Sequence, residues 1–279
     1  MPHAAAEPST LRAERPIGVF DSGIGGLSVL HALRQALPGE RFIYHADTAH
    51  APYGERGDAF VAARALAVAR ELVGEHGAKA LVVACNTATA AAIHQLRALW
   101  PGLPIVGLEP ALKPAVAATR TGRVGVLATR GTLASSKFQA LRAALDGAAS
   151  FMVQPCDGLA AAIERTDIPE VLACLTRYTG AIGPFGVEAG QIDTLVLGCT
   201  HYPLARAQIA ALVGPQVRIL DSGAAVARQT ARVLQSAGLL RLSAPATVAA
   251  PAAWSDVQFL ATGDAAALRR AARQWLKIA

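Results

Sequence analysis

The sequence predicts an α/β fold of two similar domains, each a mostly parallel sheet flanked by helices, with the active site in the cleft between them. Three observations lead to it. Short runs rich in Val, Leu and Ile alternate with Ala-rich stretches of helical spacing, the rhythm of βαβ units. Two of these runs deliver a cysteine flanked by polar side chains, Cys85-Asn86-Thr87 and Cys199-Thr200-His201. The tripeptide Asp21-Ser22-Gly23 returns as Asp221-Ser222-Gly223. We expect residues 1–15 to be a disordered leader, residues 16–109 and 221–279 to form the first domain, and residues 110–220 the second.

In chain order, a strand over Pro16 to Phe20 runs into the polar turn Asp21-Ser22-Gly23-Ile24-Gly25-Gly26, and Leu27 to Leu37 has helical spacing up to Pro38-Gly39. The turn fits neither G-x-G-x-x-G nor the lysine-bearing P-loop, which argues against nucleotide binding; its glycines are expected to let a ligand approach the backbone. Arg41 to Ala46 reads as the second strand. The loop to Pro52-Tyr53-Gly54 follows, offering a tyrosine hydroxyl and a free backbone N–H. A long helix spans Asp58 to Glu75. Strand Ala80 to Ala84 leads to Cys85, a helix runs from about Thr89 to Leu99, and Leu103 to Leu108 is a strand ending at Glu109-Pro110. Pro114 and the turn at 119–123 read as a crossover.

The second unit opens with strand Arg123 to Ala128, then the turn Thr129-Arg130-Gly131-Thr132 and a helix from Ser135 to about Leu145. Phe151 to Cys156 is a weaker strand. Leu159 to Arg165 and Ile168 to Gly180 are helical, Asp193 to Leu197 is the strand that delivers Cys199, and Leu204 to Val213 is helical. Val217 to Leu220 precedes Asp221. Ser243 to Trp254, rich in Ala and Pro, reads as a linker. A last strand, Val257 to Thr262, and a basic helix dock back on one domain.

Composition narrows the function. The 279 residues carry a net charge of +6, but the arginines are dispersed and aromatics are 5% of the chain, unlike a nucleic-acid surface where basic and aromatic side chains cluster. No apolar run approaches the roughly 18 residues of a membrane span. The start lacks the apolar core of a secretion signal, so we expect a cytoplasmic protein whose 4 cysteines are reduced thiols. Cys156 and Cys174 lie in amphipathic surroundings and read as structural.

What could Cys85 and Cys199 do? Zinc would be expected to show paired Cys-x-x-Cys or His-x-x-x-His elements, and a redox dithiol a nearby resolving thiol; neither is present. One nucleophilic cysteine with His201 as base leaves Cys85 idle. A two-base proton transfer uses both thiols, one on each face of a stereocentre, because an ordinary thiol pKa of about 8.5 needs only a modest shift to act near neutrality. Asp21 and His201 are then tuning groups, and Ser22, Thr87 and Thr200 supply hydroxyls to the developing charge.

Phe20-Asp21-Ser22-Gly23-Ile24-Gly25-Gly26-Leu27, Pro52-Tyr53-Gly54, Ala84-Cys85-Asn86-Thr87-Ala88, the segment from Glu109 to Pro114, and Leu197-Gly198-Cys199-Thr200-His201-Tyr202-Pro203 resemble, in order, the segments of cofactor-independent glutamate racemases. The resemblance implies interconversion of L- and D-glutamate without cofactor or metal, feeding D-glutamate into peptidoglycan. It implies Cys85 and Cys199 as the two bases, Asp21 and His201 as their assistants, and Asp21, Ser22, Tyr53, Gly54, Asn86, Thr87, Thr129, Thr132, Thr200 and His201 around the substrate. Family members are commonly homodimers. His50 stands where many relatives have arginine. Aspartate racemases, the nearest alternative, tend to carry Glu at the position of His201.

Overall fold

The computed structural model describes residues 9–241 and 254–276. Helix α1 (Ser9–Ala13) precedes β1 (Ile17–Asp21), α2 (Leu27–Ala36) and β2 (Phe42–Ala46). Helix α3 (Asp58–Arg70), β3 (Ala80–Val83), α4 (Asn86–Leu99), β4 (Ile105–Gly107) and α5 (Leu112–Ala118) follow. The second half runs through β5 (Arg123–Ala128), α6 (Arg130–Ala134), α7 (Ser136–Ala143), β6 (Ser150–Pro155), α8 (Leu159–Glu164), α9 (Ile168–Ile182), β7 (Thr194–Gly198), α10 (Arg206–Val213) and β8 (Arg218–Leu220). Helix α11 (Gly223–Ser236), β9 (Val257–Ala261) and α12 (Ala265–Leu276) close the described chain.

Every strand pairing among the described residues is parallel. One sheet has the order β4-β3-β1-β2-β9 and the other β8-β7-β5-β6, so the first four strands of each correspond one to one. Strands β1, β2, β3 and β7 are buried at every residue, as parallel strands covered on both faces must be, which is why they read as unbroken apolar runs. The edge strands β6 and β9 are only partly covered. One apolar cluster passes without a break from Leu27 and Leu30 of α2 through Tyr202 to Leu175 of α9, tying the two sheets' inner helices together. Val61, Leu72 and Ile93 fill the other face of the first sheet, and Leu112, Phe138 and Val196 that of the second.

Four expectations change. The correspondence of the sheets pairs β3 with β7, and so Cys85 with Cys199, but it pairs β1 with β5, whose end carries Thr129. Asp221 ends β8, the counterpart of β4 and Glu109, so its echo of Asp21 is not a structural repeat. Asp221 instead receives Arg206 at 3.0 Å on the surface. The second change concerns the leader: residues 1–8 lie outside the described residues, but 9–15 are not disordered. Lys79 Nζ donates to the carbonyl of Ala13 at 2.5 Å, and Glu14 accepts from Arg241 at 2.8 Å. Third, residues 112–118 are a helix and not a plain crossover, because Pro114 falls in the first turn, where its missing N–H has no intrahelical partner to lose. Fourth, the long helix after Asp58 ends its α-helical course at Arg70 and continues as a π turn over Glu71–Glu75. Most of the expected Ser243–Trp254 linker lies outside the described residues.

Candidate active site

Both thiols stand at the carboxyl ends of strands, where open parallel sheets present their ligand-binding loops. Cys85 caps α4, which starts at Asn86 and not near Thr89, because its sulfur accepts the N–H of Ala88 at 3.4 Å. An N-terminal helix end favours negative charge on that sulfur. Burial acts in the opposite sense and pushes the thiol well above its usual pKa, with the charges of Asp21 and Cys199 adding to the rise. Cys199 leaves β7 through Gly198 and lies 3.8 Å from Nδ1 of His201.

Asp21 links the two sulfurs. Its Oδ1 accepts the backbone N–H and the hydroxyl of Ser22 at 2.6 and 3.2 Å, and its Oδ2 accepts the hydroxyl of Thr200 at 3.1 Å. The thiol of Cys85 reaches Ser22 Oγ at 4.0 Å. Polar contacts thus run from Cys85 through Ser22 and Asp21 to the residue after Cys199. Complete burial raises the carboxyl pKa of Asp21, the opposing effects of His201, Ser22 and Thr200 being smaller.

Sequence reading missed Glu164, which nothing around it marks. It sits at the end of α8, and its Oε2 is 2.6 Å from His201 Nε2 while accepting the N–H of Ile24 at 3.0 Å. Burial disfavours the His201 imidazolium, but hydrogen bonds to Cys199 and Glu164 and their charges outweigh it, so the pKa of His201 is raised well above the ordinary value. The glycines of the Asp21–Gly26 turn answer to the same side chains. A Cβ on Gly23 would lie 2.4 Å from Glu164 Oε2, and one on Gly25 2.3 Å from His201 Nδ1. They admit protein from the second sheet, where the sequence suggested a ligand.

A third group gathers hydroxyls. Thr87 Oγ1 lies 3.2 Å from Thr129 Oγ1 and 3.5 Å from Thr132 Oγ1, and Thr129 donates to Thr132 at 2.9 Å. Gly54 packs directly on Thr129. Oδ1 of Asn86 is buried without a hydrogen-bond partner, and Asn86 lines a small pocket with Cys199, Thr200 and Ser28. Tyr53 is buried, and its hydroxyl donates to Asp47 at 2.5 Å. A cavity of about 160 Å³, lined by Thr48, Ala51, Pro52, Ala160, Glu164 and His201, opens beside this constellation. All twelve site residues read from the sequence therefore belong to one region between the sheets, the Tyr53 hydroxyl being taken up by Asp47. No group of three or more His, Cys, Asp and Glu side chains among the described residues could hold a metal ion.

Paired thiols with adjacent acid and imidazole groups, on two parallel sheets, define an α/β enzyme site suited to moving protons. Residues 17–230 match the family described as Asp/Glu/Hydantoin racemase. A glutamate racemase of Pseudomonas syringae pv. tomato is 48% identical over 237 residues, 84% of either chain. The glutamate racemase isoform RacE1 of Bacillus anthracis superposes with a TM-score of 0.79 at 30% identity, covering 95% of both chains. Glutamate racemase of Escherichia coli, solved with L-glutamate and the activator UDP-MurNAc-Ala, gives 0.76 at 33% identity over 94% of this chain and 95% of its own. The chain belongs to the Asp/Glu/Hydantoin racemase family and is an amino-acid racemase.

Proposed function

We propose that this enzyme interconverts L- and D-glutamate by two-base proton transfer, Cys85 serving one enantiomer and Cys199 the other. The observation that carries the reading is the placement of the two cysteines after corresponding strands of two sheets, with Asp21 hydrogen-bonded between their loops. The Escherichia coli relative, with L-glutamate in its crystal, supports the choice of substrate. The hydroxyls of Thr87, Thr129 and Thr132 offer donors to a carboxylate, and the free Oδ1 of Asn86 an acceptor to the ammonium group.

In one direction a thiolate removes the α-proton while the opposite thiol returns one to the other face. Because burial holds Cys85 as a thiol, its ionisation has to be coupled to arrival of the substrate's ammonium charge. His201, held cationic by Glu164, sets a positive charge 3.8 Å from the Cys199 sulfur. The buried Asp21 acts in the opposite sense near Cys85, its charge favouring the protonated thiol that returns a proton. Each tenfold gain in rate lowers the barrier by about 1.4 kcal/mol, so these small contributions must act together. With this reading go a cytoplasmic homodimer that supplies D-glutamate for peptidoglycan and a division of the chain near residues 110 and 221.

The test is incubation of the enzyme with L-glutamate in deuterated water, followed by circular dichroism and mass spectrometry. Racemisation with α-deuterium incorporation is expected, and both Cys85→Ser and Cys199→Ala should lower the rate at least about 100-fold. Full activity in either variant ends the two-base scheme, and a substrate preference for aspartate ends the glutamate assignment.

A further inference from the structure

Outside the thiol site, one buried carboxylate carries more partners than its place in a loop requires. Asp47 follows β2, is fully buried, and donates its N–H to the carbonyl of Asp21 at 3.0 Å. Arg64 grips it with both arms of the guanidinium, Nε to Oδ2 and NH2 to Oδ1, each at 2.9 Å. Tyr53 donates to Oδ2 at 2.5 Å, and His50 Nδ1 lies 2.9 Å from Oδ1. Burial would raise this carboxyl pKa, but the hydrogen bonds from Arg64, Tyr53, Thr262 and His50 outweigh it and bring it to about 2.

The second contact comes from the same helix face. Phe60 and Arg64 are four residues apart on α3, so they project side by side. The Phe60 ring meets Tyr53 edge-on at 6.4 Å and lies 6.2 Å from the His50 ring. Helix α3 therefore holds the loop 47–55 at two points. That loop reaches the other sheet: a Cβ on Gly54 would lie 2.8 Å from Thr129, and one on Gly131 3.1 Å from the Gly54 carbonyl. Ala51 and Pro52 line the cavity shared with Glu164 and His201.

We propose that Arg64 is a positioning residue for the racemisation: through Asp47 it fixes the Tyr53-Gly54 segment against Thr129, one of the hydroxyls that the reading above gives to the substrate carboxylate. The inference rests on the racemase reading above. Arg64 itself touches no reacting group, so its loss should be felt in substrate binding more than in proton transfer.

Methionine at this position keeps the stem and removes the fork. Arg64→Met is expected to raise KM for glutamate about tenfold with kcat changed less than about threefold, and Arg64→Lys, which offers a charge but no bidentate grip, to fall between. Amide hydrogen exchange should quicken at Ala51, Tyr53 and Gly54 while strand Ala80–Val83 stays as protected as in the parent. An unchanged KM, a loss of kcat at constant KM, or faster exchange in the strand as well each overturns the proposal. Should Arg64→Met not fold, Tyr53→Phe removes one tie to Asp47 and must show the same KM rise and the same local exchange. A wild-type chain without racemase activity would sink the functional reading alone, since the exchange comparison still decides whether Arg64 holds the loop.

Discussion

Gly25 shows how closely the two halves of the site approach. Its missing side chain is replaced by the imidazole of His201, and alanine there would meet Nδ1 at 2.3 Å and the His201 backbone N at 2.7 Å. Neither atom belongs to a free side-chain end that can swing away. Gly25→Ala is expected to lower kcat/KM more than about tenfold and to cost about 1–3 kcal/mol, read from steady-state kinetics and urea unfolding. Glu164 controls the same imidazole. Because the folded pKa of His201 is raised, its contribution to stability is complete below the ordinary histidine value of about 6.5 and disappears as pH rises through the folded value. Glu164→Gln removes much of the cause. The stability gap between parent and variant should therefore be widest at low pH and narrow with rising pH, and kcat should fall about tenfold. Parallel curves from pH 6 to 10 would show that Glu164 does not set the His201 charge.

Helix α4 carries Cys85 and is itself anchored by Thr89. The Thr89 hydroxyl donates to the Val83 carbonyl at 3.2 Å and accepts the N–H of Leu108 at 3.0 Å, joining the ends of β3 and β4 beneath the thiol. Valine has the same shape without the oxygen. Thr89→Val should cost about 1–3 kcal/mol by leaving a buried N–H unpaired, measurable by chemical denaturation. The elements differ in how plainly they read. Strands β1, β3 and β7 were visible because burial on both faces demands an unbroken apolar run. The start of α4 was hidden because Thr87 and Thr89 are poor helix formers, and the cap is a cysteine, which is not among the usual N-cap residues. The helix at 112–118 was hidden by a proline that a first turn tolerates.

Across the whole molecule the chemistry and the anchoring occupy opposite ends of the strands. Cys85 follows β3, and Lys79 precedes it. The Lys79 ammonium is fully buried against Glu40 at 2.5 Å, and Glu40 also accepts the N–H of Arg241 at 2.9 Å. Lys79→Met strands the Glu40 carboxylate and is expected to cost about 3–5 kcal/mol. A strand of this length separates the pair from the site by about 13 Å, so kcat/KM of the folded variant should stay within about twofold of the parent. A large change in kcat/KM at unchanged stability would contradict that separation.

Cys85, Cys199, Asp21 and His201 could be picked out before any coordinates because a buried parallel strand announces itself by composition, and reactive side chains after such a strand stand at its carboxyl end. The family resemblance added Thr129 and Thr132. Local sequence carries no signal for Glu164 or Arg64: each is an ordinary charged residue on an Ala-rich helix, and each acquires its role from a partner far along the chain, Glu164 from Ile24 and His201, Arg64 from Asp47. The same holds for the two Asp-Ser-Gly tripeptides, identical in letters, since strand order puts one at the end of the central strand β1 and the other after the edge strand β8. Spacing along a chain encodes which face a residue takes and where a strand ends; which distant side chains share a hydrogen bond is settled by how two sheets pack, and that depends on the sum of many contacts.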